Sequence, residues 1–287
     1  MKEYDEMTKN RFLNERVRLT ISLSQDVVDR IDHFISNSEE VQNRSHAIEL
    51  LVRKSVAPVI RTAVILAGGY RNSAIPVPLT PIASGLDVIS IQIGYLKEAG
   101  VSHLVLCAGP NEDALREYLG DGSDFDIHID YVPESEPLGT AGALRAAAPC
   151  LPPHEPFLVI HGDVLTNLNF SDFVAFHARS KHLATIAVKP RVSQGKYGKV
   201  ILQGTEITDF VGKSDENISI VNTGIYLFEP DVVGLIPEGQ STLERDVFPE
   251  LAGRNGLGAY FFRGVWFDIS HDDILEEAIE RWRQIQR

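Results

Sequence analysis

Apolar and polar positions follow two different periods near the start of this chain. In VRLTISL, residues 17–23, Val17, Leu19, Ile21 and Leu23 alternate with Arg18, Thr20 and Ser22, which predicts a strand with one buried face. SQDVVDRIDHFIS then places Val27, Val28, Ile31, Phe34 and Ile35 on one helical stripe behind Ser24, a suitable N-cap. After the polar NSEEVQN, RSHAIELLVRKSV keeps helical spacing through Ile48, Leu51, Val52 and Val56. The predicted order is strand, helix, helix.

From Thr62 the pattern changes to alternating buried strands and helices, the mark of an α/β protein with a mixed, mostly parallel sheet. TAVILA, SHLVLCAG and FDIHIDYV read as strands, LDVISIQIGYLKEAG and NEDALREYLG as helices. ISHDDILEEAIERWRQIQR closes the sequence as an amphipathic helix with Ile274, Leu275, Ala278, Ile279 and Trp282 on its apolar stripe. A boundary near residue 58 is expected, giving domains 1–58 and 59–287.

Charge sharpens that division. Residues 1–61 hold ten Lys or Arg and ten Asp or Glu, so the net charge of −13 belongs entirely to the remainder. An acidic body argues against nucleic acid lying across it. No apolar run approaches the roughly 18 residues of a membrane span, and MKEYDEMTKN is too polar for a secretory signal, so a cytoplasmic protein without a membrane partner is expected. Cys107 and Cys150 are the only cysteines, and core burial is expected rather than a disulfide framework.

The strand-helix-helix pattern of the first 58 residues resembles the ribbon-helix-helix DNA-binding domain. That resemblance implies a homodimer, or a higher even oligomer, whose paired strands enter a major groove. It implies base or groove contacts from Arg16, Arg18, Thr20 and Ser22 and a phosphate anchor at Asn43, Arg44 and Ser45, where a helix N-terminus favours an anion. A dimerisation module that binds no DNA is the alternative.

Several blocks of residues 62–280 resemble the sugar-phosphate nucleotidylyltransferases, which join a sugar 1-phosphate to a nucleoside triphosphate and release pyrophosphate. The resemblance implies a Rossmann-like nucleotidyltransferase domain. It assigns nucleotide contacts to Leu66, Ala67, Gly68 and Gly69 of the LAGG turn and to Pro137, Gly139 and Thr140 of PLGTAGAL. FLVIHGDVL and WFDIS correspond to the metal segments, with Asp163 and Asp268 as ligands of Mg2+ and Ser270 where the family has glycine. Gly198, Lys213, Asn222 and Thr223 fall at sugar-contacting places, although the family's Glu-Lys-Pro appears as Gly212-Lys213-Ser214. STLERDVFP, residues 241–249, is close to the mannose-1-phosphate guanylyltransferase branch.

One departure is large. The family's Gly-Thr-Arg loop after LAGG and the lysine of Pro-Lys-Pro-Leu are missing: YRNSAI alone separates Gly69 from Pro76, and Val77 stands at the lysine position. Loss of preorganised donors around a triphosphate costs about 3–4 kcal/mol for a single group. No catalytic residue is therefore assigned. The expectation is a DNA-binding transcriptional regulator whose nucleotidyltransferase-like domain senses a nucleotide or nucleotide sugar without catalysis. The alternatives are a working nucleotidylyltransferase in which Arg71 handles the phosphates, and an interaction protein with neither activity.

Overall fold

The structure, a computed structural model, describes the chain except residues 1–19, 37–40, 42, 56–59, 70–74, 84, 135, 192–198, 204, 212–218, 271 and 286–287. The chain divides into two compact units, residues 1–56 and 57–287.

In the first unit, α1 (Gln25–Ser36) and α2 (Arg44–Ser55) form a helix pair in which Ile31 of α1 is buried and Ile48 of the expected α2 stripe packs beside it, while Val52 of that stripe is exposed. Ile31, Val41 and Ala47 are buried, with Val27, Phe34, Ile35 and Ile48 around them. The Val28 N–H donates to the Ser24 carbonyl at 3.1 Å, so the first helical bond starts where the sequence places the cap. The predicted strand is a different matter. Residues up to 19, including Arg16 ahead of it and Arg18 within it, lie outside the described ones, and residues 20–24 run irregularly with Thr20, Ile21, Ser22 and Leu23 exposed. None of the described strands offers them a ladder.

The proposed phosphate anchor has other partners. The Asn43 side-chain oxygen accepts from the His46 N–H at 2.9 Å, capping α2 from within. The Arg44 fork donates to both carboxylate oxygens of Asp32, at 2.7 and 2.6 Å. That pairing holds the Asp32 carboxyl below its ordinary range and the Arg44 guanidinium above its own. Ser45 is exposed in the first turn of α2.

The second unit is built on nine strands in one mixed sheet. They are β1 (Thr62–Leu66), β4 (His103–Cys107), β5 (His128–Val132), β6 (Phe157–His161), β8 (Ala184–Arg191), β9 (Lys199–Gln203), β10 (Glu206–Val211), β11 (Ser219–Phe228) and β12 (Leu257–Phe261), in the order β5-β4-β1-β6-β11-β8-β12-β10-β9. The four strands from β5 to β6 are mutually parallel, β12 is parallel to β8, and β11 enters antiparallel to both of its main neighbours. Two small sheets flank it: β2 (Pro81–Ala83) with β3 (Leu86–Asp87), and β7 (Val164–Thr166) with β13 (Trp266–Asp268). The α/β architecture read from the sequence is present.

Alternation along the central strands feeds a core on each face of the sheet. Ala63, Ile65, Leu104, Leu106, Leu158 and Ile160 join one apolar cluster; Val64, Val105 and Val159 join the other. The first face is covered by α3 (Val88–Glu98) and α8 (Asp272–Ile285), among others. Asp87 caps α3 by accepting from the Ser90 N–H at 2.8 Å, which starts the helix two residues later than the apolar run suggests. On α8 the stripe residues Ile274, Ala278 and Trp282 are buried, and Trp282 meets Tyr95 edge-on at 6.2 Å. Helices α4 (Glu112–Leu119), α5 (Gly139–Ala146), α6 (Phe170–Arg179) and α7 (Phe248–Gly253) complete the second unit.

Candidate active site

Parallel strands deliver their C-terminal ends to one edge, and a cleft lies there. It encloses about 640 Å³ and is lined by Leu66, Gly68, Gly69, Glu134, Pro137, Gly139, Thr140, His161 and Asp163, with Cys107 and others completing the wall. The LAGG turn, residues 137–140 and Asp163, far apart in sequence, thus line one cleft.

The LAGG turn is held by its neighbours. The Ala67 N–H donates to the Cys107 carbonyl at 2.8 Å and the Gly162 N–H donates to the Leu66 carbonyl at 2.9 Å, tying the turn to both adjacent strands. The Asn111 amide donates to the carbonyls of Ala67, at 2.7 Å, and Gly69, at 3.2 Å. Gly68 and Gly109 approach so closely that a Cβ on Gly109 would lie 3.3 Å from the Gly68 Cα and 2.9 Å from Glu134 Oε2, and its φ of +50° already favours glycine.

Glu134 closes this corner. One carboxylate oxygen accepts from the Leu138 N–H at 2.8 Å, just ahead of α5, while the other faces the Gly68 and Gly109 backbone. Gly139 opens α5 at φ +74°, where a side chain would collide with the Ser241 carbonyl. Ala141 and Gly142 donate their N–H groups to that same carbonyl at 3.1 and 3.3 Å. The Thr140 hydroxyl accepts from the Leu243 N–H at 2.9 Å and donates to Glu244 at 3.3 Å, so it joins the start of α5 to residues 243–244.

The pairing of β7 with β13 brings Asp163 and Asp268 to neighbouring backbone positions. Asp268 pairs with Val164, next to Asp163, and the Ile269 N–H donates to the Asp163 carbonyl at 2.9 Å. Ser270 donates to one Asp268 oxygen through both its N–H, at 3.1 Å, and its hydroxyl, at 2.5 Å. Two carboxylates are hard oxygen donors, and that donor chemistry fits Mg2+ sharing its remaining positions with water and phosphate. Gln92, buried in α3, donates to the carbonyls of His161 and Val164 at 2.9 and 2.7 Å, bracketing the Gly162-Asp163 turn. Val77 is buried, and it shares a small recess with Pro78, Gly162, Asp163 and Ser270.

The sugar-side residues are distributed less simply. Gly198 and Lys213 lie outside the described residues, as does Arg71. Asn222 is half-buried; its amide donates to the Tyr226 hydroxyl at 2.9 Å and its oxygen accepts from the Gly224 N–H at 3.0 Å. Thr223 is buried, with its hydroxyl donating to the Ala187 carbonyl at 2.7 Å, and it therefore supports the strand instead of facing the cleft. Tyr226 is fully buried, and burial, with Glu244 nearby, pushes its phenol well above the ordinary range. His161 packs edge-on against it at 5.6 Å while also lining the cleft. Both cysteines are free thiols. Burial pushes the Cys107 thiol up to about 12, which makes it an inert wall residue.

The profile of the nucleotidyl transferase family matches residues 62–284, nearly the whole second unit. This chain belongs to that family. The mannose-1-phosphate guanyltransferase of Yarrowia lipolytica is 34% identical over 215 residues, 71% of this chain and 59% of the relative. The mannose-1-phosphate guanyltransferase beta-A of Xenopus laevis is 33% identical over 217 residues, 72% and 60% of the two chains. The chain thus spans about 60% of the length of these relatives. Among solved structures, HddC from Yersinia pseudotuberculosis superposes with a TM-score of 0.67 at 24% identity, covering 78% of this chain and 100% of that one. A UDP-glucose pyrophosphorylase complexed with UDP-glucose gives 0.67 at 20%, covering 79% and 100%. These two likenesses establish the fold.

The family placement corrects the functional expectation. The sequence relatives are named as guanyltransferases, which overturns the expected DNA-binding regulator with a ligand sensor lacking catalysis, and nothing among the described residues of the first unit supports DNA as a partner of residues 1–58. The physical reason is visible at Asn43 and Arg44, whose polar groups are engaged within the unit, and at residues 20–23, which form no strand. No helix among the described residues is long and apolar enough to cross a membrane.

Proposed function

We propose that this nucleotidyl transferase transfers GMP from GTP to a hexose 1-phosphate, mannose 1-phosphate, releasing pyrophosphate. An oxygen of the sugar phosphate attacks the α-phosphorus, a new P–O bond forms, and the bond from that phosphorus to the β-phosphate bridge breaks. The observation that carries the choice of base is Glu134. Guanine presents N1–H and N2–H as adjacent donors; Glu134 lines the cleft, and its carboxylate, beyond the bond from the Leu138 N–H, keeps lone pairs to accept from them. Uracil and thymine present one N–H between two carbonyl oxygens, which a carboxylate repels, and adenine lacks the paired donors. The names of the curated relatives point the same way.

The remaining parts follow from position. Gly68, Gly69, Pro137, Gly139 and Thr140 would border the nucleoside, and Leu66 and Ala67 would fix the turn beneath it. Asp163 and Asp268 would hold Mg2+, which when bound supplies positive charge to the phosphate oxygens. Ser270 orients the Asp268 carboxylate for this, and Gln92 fixes the turn that carries Asp163. Arg71, two residues beyond Gly69, is the nearest cation in sequence to the shortened loop, and Lys213 would hold the sugar phosphate.

The test is pyrophosphate release with Mg2+, mannose 1-phosphate and each nucleoside triphosphate in turn. Turnover with GTP preferred is expected. Glu134→Gln should lower kcat/KM for GTP by about 10- to 100-fold, the worth of a charge-assisted pair, and narrow the gap to UTP. Absence of turnover with every nucleotide and sugar phosphate, or a base preference indifferent to Glu134→Gln, would overturn the proposal.

A further inference from the structure

At the opposite ends of the same strands, three ligating side chains converge. β4 and β5 pair in parallel with His103 opposite His128 and Val105 opposite Asp130. Side chains alternate along a strand, so His103, His128 and Asp130 share one face of the sheet. His103 Nε2 lies 2.9 Å from one Asp130 oxygen and His128 Nε2 lies 3.4 Å from the other. The two rings stack with centroids 5.4 Å apart and planes 23° apart, and one ligand atom from each of the three residues lies within 4.8 Å of the others.

The backbone fixes this arrangement from below. The His103 N–H donates to the Arg61 carbonyl at 2.9 Å and the His128 N–H donates to the Ser102 carbonyl at 3.0 Å, so both histidines open their strands from defined positions. His103 and Asp130 are partly buried while His128 is exposed, which leaves an open side for solvent. Four residue steps along β4, about 13 Å, carry the strand from His103 to Cys107 at the cleft, so this cluster is not part of the nucleotide site.

Donor chemistry selects the ion. Mg2+ takes oxygen donors, as Asp163 and Asp268 offer, whereas two imidazoles and a carboxylate suit a borderline transition metal such as Zn2+. The alternative is a carboxylate bridging two imidazoles by hydrogen bonds alone. We propose that His103, His128 and Asp130 form a second, non-nucleotide metal site that takes a Zn2+-class ion and completes its coordination with water. The ion staples β5, the outer strand of the sheet, to β4. Its binding would replace the contact that His103 Nε2 now makes with Asp130.

The test is isothermal titration of the full chain with Zn2+ in excess Mg2+, which occupies oxygen sites without competing for imidazole. One Zn2+ per chain is expected in the wild type and in Asp163→Asn. His128→Ala should weaken that binding at least about tenfold. His128 is exposed, so its replacement leaves the fold, as circular dichroism will verify, and His103→Ala serves as a second variant. Co2+ should give a visible absorption band in the wild type that His128→Ala removes. No Zn2+ binding by the wild type, binding equal in wild type and His128→Ala, or binding lost only with Asp163 would each overturn the proposal.

Discussion

Replacing Gln92 by leucine isolates the support beneath the metal segment from the segment itself. Its amide is the donor to two carbonyls that bracket Gly162-Asp163, at 2.9 and 2.7 Å, and its own side-chain oxygen is buried without a hydrogen-bond partner. Leucine keeps the volume and removes the donors, so two carbonyls lose their bonds. An unsatisfied buried group costs about 1–3 kcal/mol, and removing the orphaned oxygen returns a similar amount once. The net expectation is a loss of about 1–3 kcal/mol, with the damage centred on the turn. Urea unfolding should show a lower midpoint at unchanged slope, and the Mg2+ concentration for half-maximal pyrophosphate release should rise severalfold. Gln92→Glu sharpens the argument, because a carboxylate there would face two carbonyl oxygens. Its folded pKa would be raised above the unfolded value of about 4.3, so that variant should lose further stability as pH rises above about 4. A Gln92→Leu protein with the wild-type midpoint and an unchanged Mg2+ requirement would refute the reasoning.

Two further outcomes are expected. Gly139→Ala should cost about 2–4 kcal/mol, combining a left-handed backbone at φ +74° with an added carbon against the Ser241 carbonyl, and differential scanning calorimetry will read it as a lowered Tm. Burial holds the His182 imidazole below its ordinary range, more than Glu206 raises it. The unfolded chain therefore binds more protons there, and stability should fall as pH drops through about 6.5 toward 5. His182→Gln should flatten that stretch of the stability profile measured by denaturant titration.

What the sequence disclosed depended on whether a residue sat in a periodic segment. The strands β1, β4 and β5 and the stripe of α8 follow from spacing, whereas Gly162-Asp163 and Trp266-Phe267-Asp268 stood out through the resemblance to the nucleotidylyltransferases. Glu134 and Asn111 lie in connections, where no period marks a side chain that turns inward. Gln92 did leave a signal: it is a lone amide within the apolar VISIQIGYLKE, on the buried side of a helix. Asn222 and Thr223 were taken together for the sugar, yet neighbours on a strand point to opposite faces, and Thr223 turned to Ala187. In the first unit the two apolar stripes dictated a helix pair. Arg44 at a helix start reads equally as a phosphate anchor or as the partner of Asp32, and only packing decides.

Asp163 and Asp268 are more than a hundred residues apart and meet only through the β7–β13 pairing. During synthesis the first aspartate therefore waits until nearly the whole sheet has left the ribosome before its partner exists. A cation that needs both cannot help nucleate the fold, because closing so long a loop comes first. A cation held by both would bind the finished structure and add to stability by mass action, so the chain's persistence would rise with the cation concentration around it.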